Sequence, residues 1–474
     1  MEKKTLLILL FLLLVEFSIS GVSKKRRIQS ENKDKICFIL LHDETSSYDK
    51  SFIDAANDVC AALGVEAVYK TNVDESEECY NTAVELAKDG CKAIFADSFG
   101  HEPYILRAAK EYPNIEFGHA TGTLAHTSNL TNFHNVFASI YEGRYITGIA
   151  AGMKLNEMIE KGTINKTDAK VGYVGAFPYA EVISGFTAFY LGVKSVCESA
   201  TMKVRYTNSW YDEEGEKEAA EKLIDKDGCK IISQHADSLG CPNACESRGI
   251  PNVFYNGENP TLTNSYLISS RINWRPYFNY FINCSLNGTK MPYDWTGSLE
   301  DGSIEVYKAS SLATEGTQDA VNTAINNLKE GKIKVFDTSK FTIGGKVLSS
   351  YLADVDSDEN YTGDTEVVSN GYFHESEYRS APYFDLIIDG ILVDLDKVNN
   401  DTNSTGKIYN SPILTISKKK GLSAGSIVGI VLPIVAVVAI AIGGAAFLSS
   451  SSSAALPPAI GPNEGSTVLQ LTKI

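Results

Sequence analysis

The sequence predicts an α/β protein: two similar parallel-sheet lobes with a ligand cleft between them, followed by one C-terminal transmembrane helix. Three observations carry this. The stretch "DGCKAIFADS" at 89–98 returns as "DGCKIISQHADS" at 227–238. Each copy closes a β-α-β-α-β series of apolar runs and amphipathic segments. Residues 427–448 then form an uncharged apolar stretch, long enough at about 1.5 Å per residue to cross a bilayer core of roughly 30 Å as a helix.

The chain has 474 residues, 43% hydrophobic and 22% charged, enough for one large or two ordinary domains. Its net charge of -16 repels phosphates, and no basic stripe offsets it, which argues against nucleic acid. Lys3 and Lys4 precede the apolar run Leu6 to Val15, and small residues precede Gly21. That pattern reads as a signal peptide over 1–20, with a signal anchor as the alternative.

At the other end come a polar juxtamembrane linker (396–425), the apolar helix (426–448) and a low-complexity tail (449–474) read as cytoplasmic. A GPI signal is the rival, but such apolar tails end the chain, whereas here 26 residues follow. The expected topology is a single-pass type I protein of the plasma membrane with its ectodomain outside. The basic "KKK" at 418–420 opposes the positive-inside tendency, and a large translocated domain overrides it. Seven sequons fit an exported chain: Asn129, Asn165, Asn283, Asn287, Asn360, Asn400 and Asn403.

Residues 35–395 form the two-lobed body. "KICFILLHD" reads as a buried parallel strand, and "KSFIDAANDVCAAL" as a helix with Phe52, Ala56, Val59 and Leu63 on one face. Strand "VEAVYKT", helix "ESEECYNTAVELAKDG" with its glycine stop, and strand "CKAIFADS" complete the first lobe. The second begins at "AKVGYVGAF". It continues through helix "SGFTAFYLGVKSV", strand "MKVRYTNSW" and helix "EEGEKEAAEKLIDKDG" to strand "CKIISQHADS".

Open parallel sheets bind ligands at the carboxyl ends of their strands. The candidates are therefore residues where apolar runs break: Asp43, then Asp97, Ser98 and Phe99, then His119, from the first lobe. Phe177, Trp210, Asp237, Asn256 and Trp274 follow from the second. Phe52, in the first helical turn, can serve core or site. Trp210, flanked by Asn208, Ser209 and Asp212, reads as a cleft residue, while Asp43 can also cap the following helix.

No G-x-S-x-G elbow, H-E-x-x-H or P-loop occurs, so an enzyme is not expected. His101, His119, His126 and His134 have spacings of no usual metal site, and no cofactor is implied. Nine cysteines in an exported chain are expected to oxidise, leaving at least one over. Cys60 and Cys91 hold nearly the same places in their lobe as Cys197 and Cys229 in theirs. The expected pairs are Cys60–Cys91 and Cys197–Cys229, with Cys37 as competitor.

Six stretches in one order carry a resemblance: "YDKSF", "HATG", "YEGRYITGIAAGMK", "VGYVGAFPYAEVISGFTAFYLGVKSV", "TNSWYD" and "ISQHADS". They resemble the basic membrane protein family of bacterial substrate-binding proteins, which includes purine nucleoside receptors. The likeness spans roughly 36–280 and continues weakly to 392. It implies a type I periplasmic binding fold, a purine nucleoside or base in the cleft, and hand-over to a membrane transporter without catalysis. On that reading a base stacks between Phe52 and Trp210, and Asp43, Asp237 and Asn256 set specificity, with His119 contributing.

Two departures stand out. Ile53 replaces the usual Asn after "DKSF", and a C-terminal helix with sequons replaces the N-terminal lipid anchor, as in a eukaryotic cell-surface protein. The transporter partner is unknown. The alternative function is a surface adhesin or antigen that kept the fold without ligand transport.

Overall fold

The computed structural model describes residues 33–394 other than 260, 356–362 and 364. The signal peptide (1–20), the linker, the apolar stretch (426–448), the tail and the sequons Asn360, Asn400 and Asn403 lie outside these. Among the described residues no helix is long and apolar enough to cross a membrane.

The first lobe runs β1 (Lys35–Ile39), α1 (Ser47–Leu63), β2 (Glu66–Lys70), α2 (Glu77–Lys88), β3 (Cys91–Ala96), α3 (Glu102–Glu111), β4 (Glu116–Ala120) and β5 (Phe133–Ala138). Helix α1 starts where the Ser46 hydroxyl accepts from the Asp49 N–H, and ends at Gly64, whose φ of 72° few other residues adopt.

The second lobe repeats the pattern. It comprises α4 (Tyr141–Glu160), β6 (Lys170–Gly175), α5 (Ala180–Val196), β7 (Thr201–Tyr206), α6 (Glu213–Glu221), β8 (Ile231–Gln234), α7 (Gly240–Arg248), β9 (Asn252–Tyr255) and β10 (Tyr266–Ile272). A single π turn, Lys222–Lys226, extends α6. Helix α4 lies tight against α5 because Gly148 and Gly192 face each other's backbones. A Cβ on either would overlap the carbonyl of Phe189 or Tyr145.

The chain then returns to lobe one for α8 (Arg275–Asn287) and β11 (Asp294–Gly297), and to lobe two for β12 (Ile304–Val306) and α9 (Thr317–Lys329). It thus crosses between lobes three times, around 139–140, 273–274 and 298–303. Lobe one's sheet is ordered β11-β5-β4-β3-β1-β2 and is wholly parallel. Lobe two's is β12-β10-β9-β8-β6-β7-β17, where β17 is Ile391–Asp394 and β12 is antiparallel. Both "DGCK" stretches lead into the equivalent strand, β3 or β8, beside the first strand of their lobe. A last segment carries the short strands β13 (Leu352–Ala353), β14 (Thr365–Glu366), β15 (Val368–Ser369) and β16 (Tyr372–Phe373), then β17 (Ile391–Asp394), which pairs with β7.

The disulfide expectation is corrected. Cys37 bridges Cys91, with Cα atoms 6.0 Å apart, while Cys60, Cys197 and Cys229 are buried free thiols. Successive helices of a βαβ series pack on opposite faces of the sheet. Cys60 on α1 therefore joins the core on one face, while Cys91 points with Cys37 to the other. Cys197 and Cys229 are split between cores in the same way. Equivalent places along the chain did not mean the same side of the sheet.

Candidate functional site

A cavity lies between the lobes at the carboxyl ends of β1, β3, β6 and β8. It measures about 460 Å³ counting its solvent-open part. Lobe one contributes Tyr48, Asp49, Asp97 and Phe99, and lobe two contributes Glu181, Trp210, His235, Asp237 and Tyr255. The lobes touch here: the Asp237 carbonyl accepts from the Ser47 N–H at 3.3 Å, and His42 packs edge-on to Tyr211.

Four carboxyl groups face this small space. Asp49 accepts from the His42 N–H (2.7 Å) and the Ser46 hydroxyl (2.5 Å), at the start of α1. Asp97 follows the last residue of β3, and its Oδ1 accepts from the Leu41 N–H at 3.1 Å. Its Oδ2 is buried with no partner. Burial, then the charge of Asp49, raises the Asp97 pKa well above the usual carboxylate range. Asp237 is raised likewise, by burial and by its acidic neighbours, against the opposing Arg144. The two repeated "ADS" motifs thus supply one aspartate from each wall.

Glu181 in the first turn of α5 accepts from His235 Nε2 at 2.7 Å. The other ring nitrogen, Nδ1, faces the Tyr173 hydroxyl (3.2 Å) and an Arg144 N–H (3.4 Å). A guanidinium only donates, so Nδ1 is the acceptor and the hydrogen resides on Nε2. Burial lowers the His235 pKa, in keeping with a neutral ring. Arg144 itself lies behind the wall, 3.4 Å over the Tyr255 ring. Carboxyl groups held toward the protonated form both donate and accept, so the site fits a ligand that bears donors and acceptors.

An aromatic group closes the mouth. Phe177 stacks on Tyr179 (5.1 Å, 15°) and meets Trp210 edge-on (5.1 Å), while Phe99 of lobe one reaches Tyr179 at 5.2 Å. Of the sequence candidates, Asp97, Ser98, Phe99, Trp210 and Asp237 line the cavity. Phe177 supports Trp210 from behind.

The others are placed elsewhere. Phe52 and Trp274 are fully buried in the core of the crossover region, because the α1 period that turns Phe52 inward also turns it from the cleft. Asp43 is a loop residue whose carboxylate accepts from the Thr45 N–H and hydroxyl. His119 is buried behind Ser98, its Nε2 donating to that carbonyl at 2.8 Å, and burial lowers its pKa to about 3. Asn256 is buried at a φ of 61°, its amide outside the cavity lining.

Sequence reasoning passed over Tyr48, Asp49, Glu181, His235 and Tyr255. Tyr48 and Asp49 lie inside "YDKSF" and Glu181 inside "PYAEV", at helix starts, while His235 and Tyr255 sit at the ends of β8 and β9. The sequons Asn129, Asn165 and Asn287 are exposed, while Asn283 is half-buried and donates to the Asn279 carbonyl at 2.7 Å.

Residues 40–338 match the family model Bmp, described as ABC transporter substrate-binding protein PnrA-like. A purine-binding protein of Brucella abortus is 28% identical over 344 residues, covering 69% of this chain and 92% of that protein. A putative ABC transporter glucose-binding protein of Haloferax volcanii is 30% identical over 264 residues, covering 54% of this chain and 62% of that protein. A solute-binding protein from Conexibacter woesei superposes with a TM-score of 0.53 at 18% identity, over 64% of this chain and 98% of that one, which shows the fold.

Proposed function

The chain belongs to the Bmp family of PnrA-like ABC transporter substrate-binding proteins, and from that premise we propose that it captures a purine nucleoside or base in the interlobe cavity, at the cell surface, for uptake or sensing. The observation that carries this is the pairing of Trp210 with buried acceptors on both walls. A flat base stacks on the indole, and its N–H groups and any ribose hydroxyls donate to Asp97, Asp237 and Glu181. Asp97, held toward its protonated form by burial and by Asp49, can both donate to such a ligand and accept from it. The name of the Brucella relative supports the same ligand class.

Binding is of the closing kind. Contacts from both lobes form only when the lobes meet, so the ligand favours the closed state by their sum. The surface location draws on the signal peptide and the apolar stretch at 426–448, both read from sequence. The test is calorimetry on the detergent-solubilised full chain with adenosine, inosine, guanosine, their bases, and glucose. Micromolar or tighter binding of a purine with none of glucose is expected. Glucose binding without purine binding would overturn the reading.

A further inference from the structure

Arg144 is buried in lobe two, in the first turn of α4 and just past the first crossover. Its partners are few for a cation. One N–H donates to the Gln234 carbonyl at 2.8 Å, another meets His235 Nδ1 at 3.4 Å, and Cζ lies 3.4 Å over the Tyr255 ring. Nε has no hydrogen-bond partner, and among the described residues no carboxylate pairs with the group. Burying a charge without a carboxylate costs stability. An apolar side chain of similar length avoids that cost, so packing alone does not account for an arginine here.

The sequence makes room for this arrangement. Gly143 lets α4 approach β10, since a Cβ there would come within 2.9 Å of Ser270 Cβ. Gly185 on α5 leaves space beside His235, whose ring lies 3.3 Å from where a Cβ would stand.

The elements packed around His235 each present a group to its ring. α5 brings Glu181, which accepts from Nε2 at 2.7 Å. β6 brings the Tyr173 hydroxyl, 3.2 Å from Nδ1. β9 brings the Tyr255 ring, with centroids 5.4 Å apart, and α4 brings Arg144. Asp237 follows two residues later in the chain. Burial lowers the ring's pKa, Glu181 pulls it up and Arg144 pushes it down. Glu181 by itself favours an imidazolium. Such a ring would neutralise Glu181, and its Nδ1–H would donate to the Tyr173 oxygen. A guanidinium at Nδ1 opposes that second proton, because facing a donor Nδ1 must accept.

We propose that Arg144 is a positioning residue for the cleft: it locks His235 as a neutral Nε2–H donor, so that Glu181 is oriented by the ring without being neutralised by it. The ligand's part in this rests on the purine reading above, whereas the lock is a property of the free protein.

Two measurements on the full-length chain test it. In the first, histidine is labelled with carbon-13 at Cε1, and the His235 resonance is identified by its loss in His235→Gln. It is followed by NMR from about pH 5 to about pH 8, across the ordinary histidine range. The parent ring stays neutral throughout, and in Arg144→Met it titrates. Should that variant fail to fold, Arg144→Gln, which keeps donors without the charge, gives the same titration. A parent ring that titrates like an ordinary histidine, or a variant ring that stays neutral, overturns the lock. In the second, inosine binding is measured at about pH 6, where an ordinary histidine is largely charged, for Arg144→Met, Glu181→Gln and the double variant. Each single variant binds roughly tenfold more weakly, the worth of one charge-assisted hydrogen bond, and the double variant binds no more weakly than Glu181→Gln. Additive losses mean that Arg144 acts by packing and overturn its action through Glu181. No inosine binding by the parent overturns the purine reading, while the ring titration still decides the lock.

Discussion

Phe52 and Trp274 stack with ring centroids 4.1 Å apart and planes 22° from parallel, both shut off from solvent. The Trp274 indole N–H donates to the Ser51 hydroxyl at 3.1 Å, so the pair is satisfied within the protein. Phe52 comes from the first helix of lobe one and Trp274 from a crossover, so this stack ties lobe one to a hinge segment. Phe52→Ala is therefore expected to cost about 3–5 kcal/mol of stability, the usual range for a buried phenylalanine. Chemical denaturation of the full-length variant measures it. A stable variant that loses only ligand affinity would place Phe52 in the site after all.

Trp210 behaves oppositely. It is half-buried, at the cavity mouth, braced by Phe177. Trp210→Ala is expected to weaken purine binding roughly tenfold to a hundredfold, given about 1–3 kcal/mol per stacked base. The melting temperature should move little. Unchanged purine affinity would show that the base lies elsewhere.

The Cys37–Cys91 bridge joins adjacent strands β1 and β3. Peptide mapping without reduction should recover these two peptides linked, with Cys60 alkylated only after unfolding. Replacing both with Ser should lower stability by about 2–4 kcal/mol. A Cys60–Cys91 peptide would contradict the structure.

Glu216 gives a pH test beside the site. Its carboxylate, buried under α6, accepts from the Ser238 and Asp212 N–H groups, and burial raises its pKa from 4.5 to about 7. The folded state thus holds this proton more tightly than the unfolded one. Its contribution is complete below pH 4.5 and is lost as pH rises through 7. Glu216→Gln keeps the acceptor and removes the charge. The variant's melting temperature should match the parent's at pH 5 and exceed it at pH 8. An equal gap at both values would refute the assignment.

For the topology proposal, an epitope tag after Ile474 should stain only permeabilised cells, and external protease should leave a short tagged fragment. Staining of intact cells would reverse the orientation.

Much of the fold was legible in the sequence. Periodicity gave both β-α-β-α-β series, and the repeated "DGCK…ADS" stretch marked equivalent strands, because buried parallel strands and amphipathic helices write their burial directly into residue order. The repeat also marked Asp97 and Asp237, since a strand's carboxyl end is where an apolar run must break. What tertiary structure alone decided is which side each residue faces and what it meets there. Cys60 and Cys91 share a lobe but lie on opposite faces of its sheet, so Cys37 takes the bridge. Phe52 and Trp274 meet each other rather than a ligand. Glu181 and His235, 54 residues apart, form one acceptor only because two strand-to-helix turns converge. Tyr351 and Asp385 border the cleft only because the last segment folds back over both lobes. Local sequence encodes burial and period, whereas contact across a sheet or between lobes depends on chain paths that no local window contains.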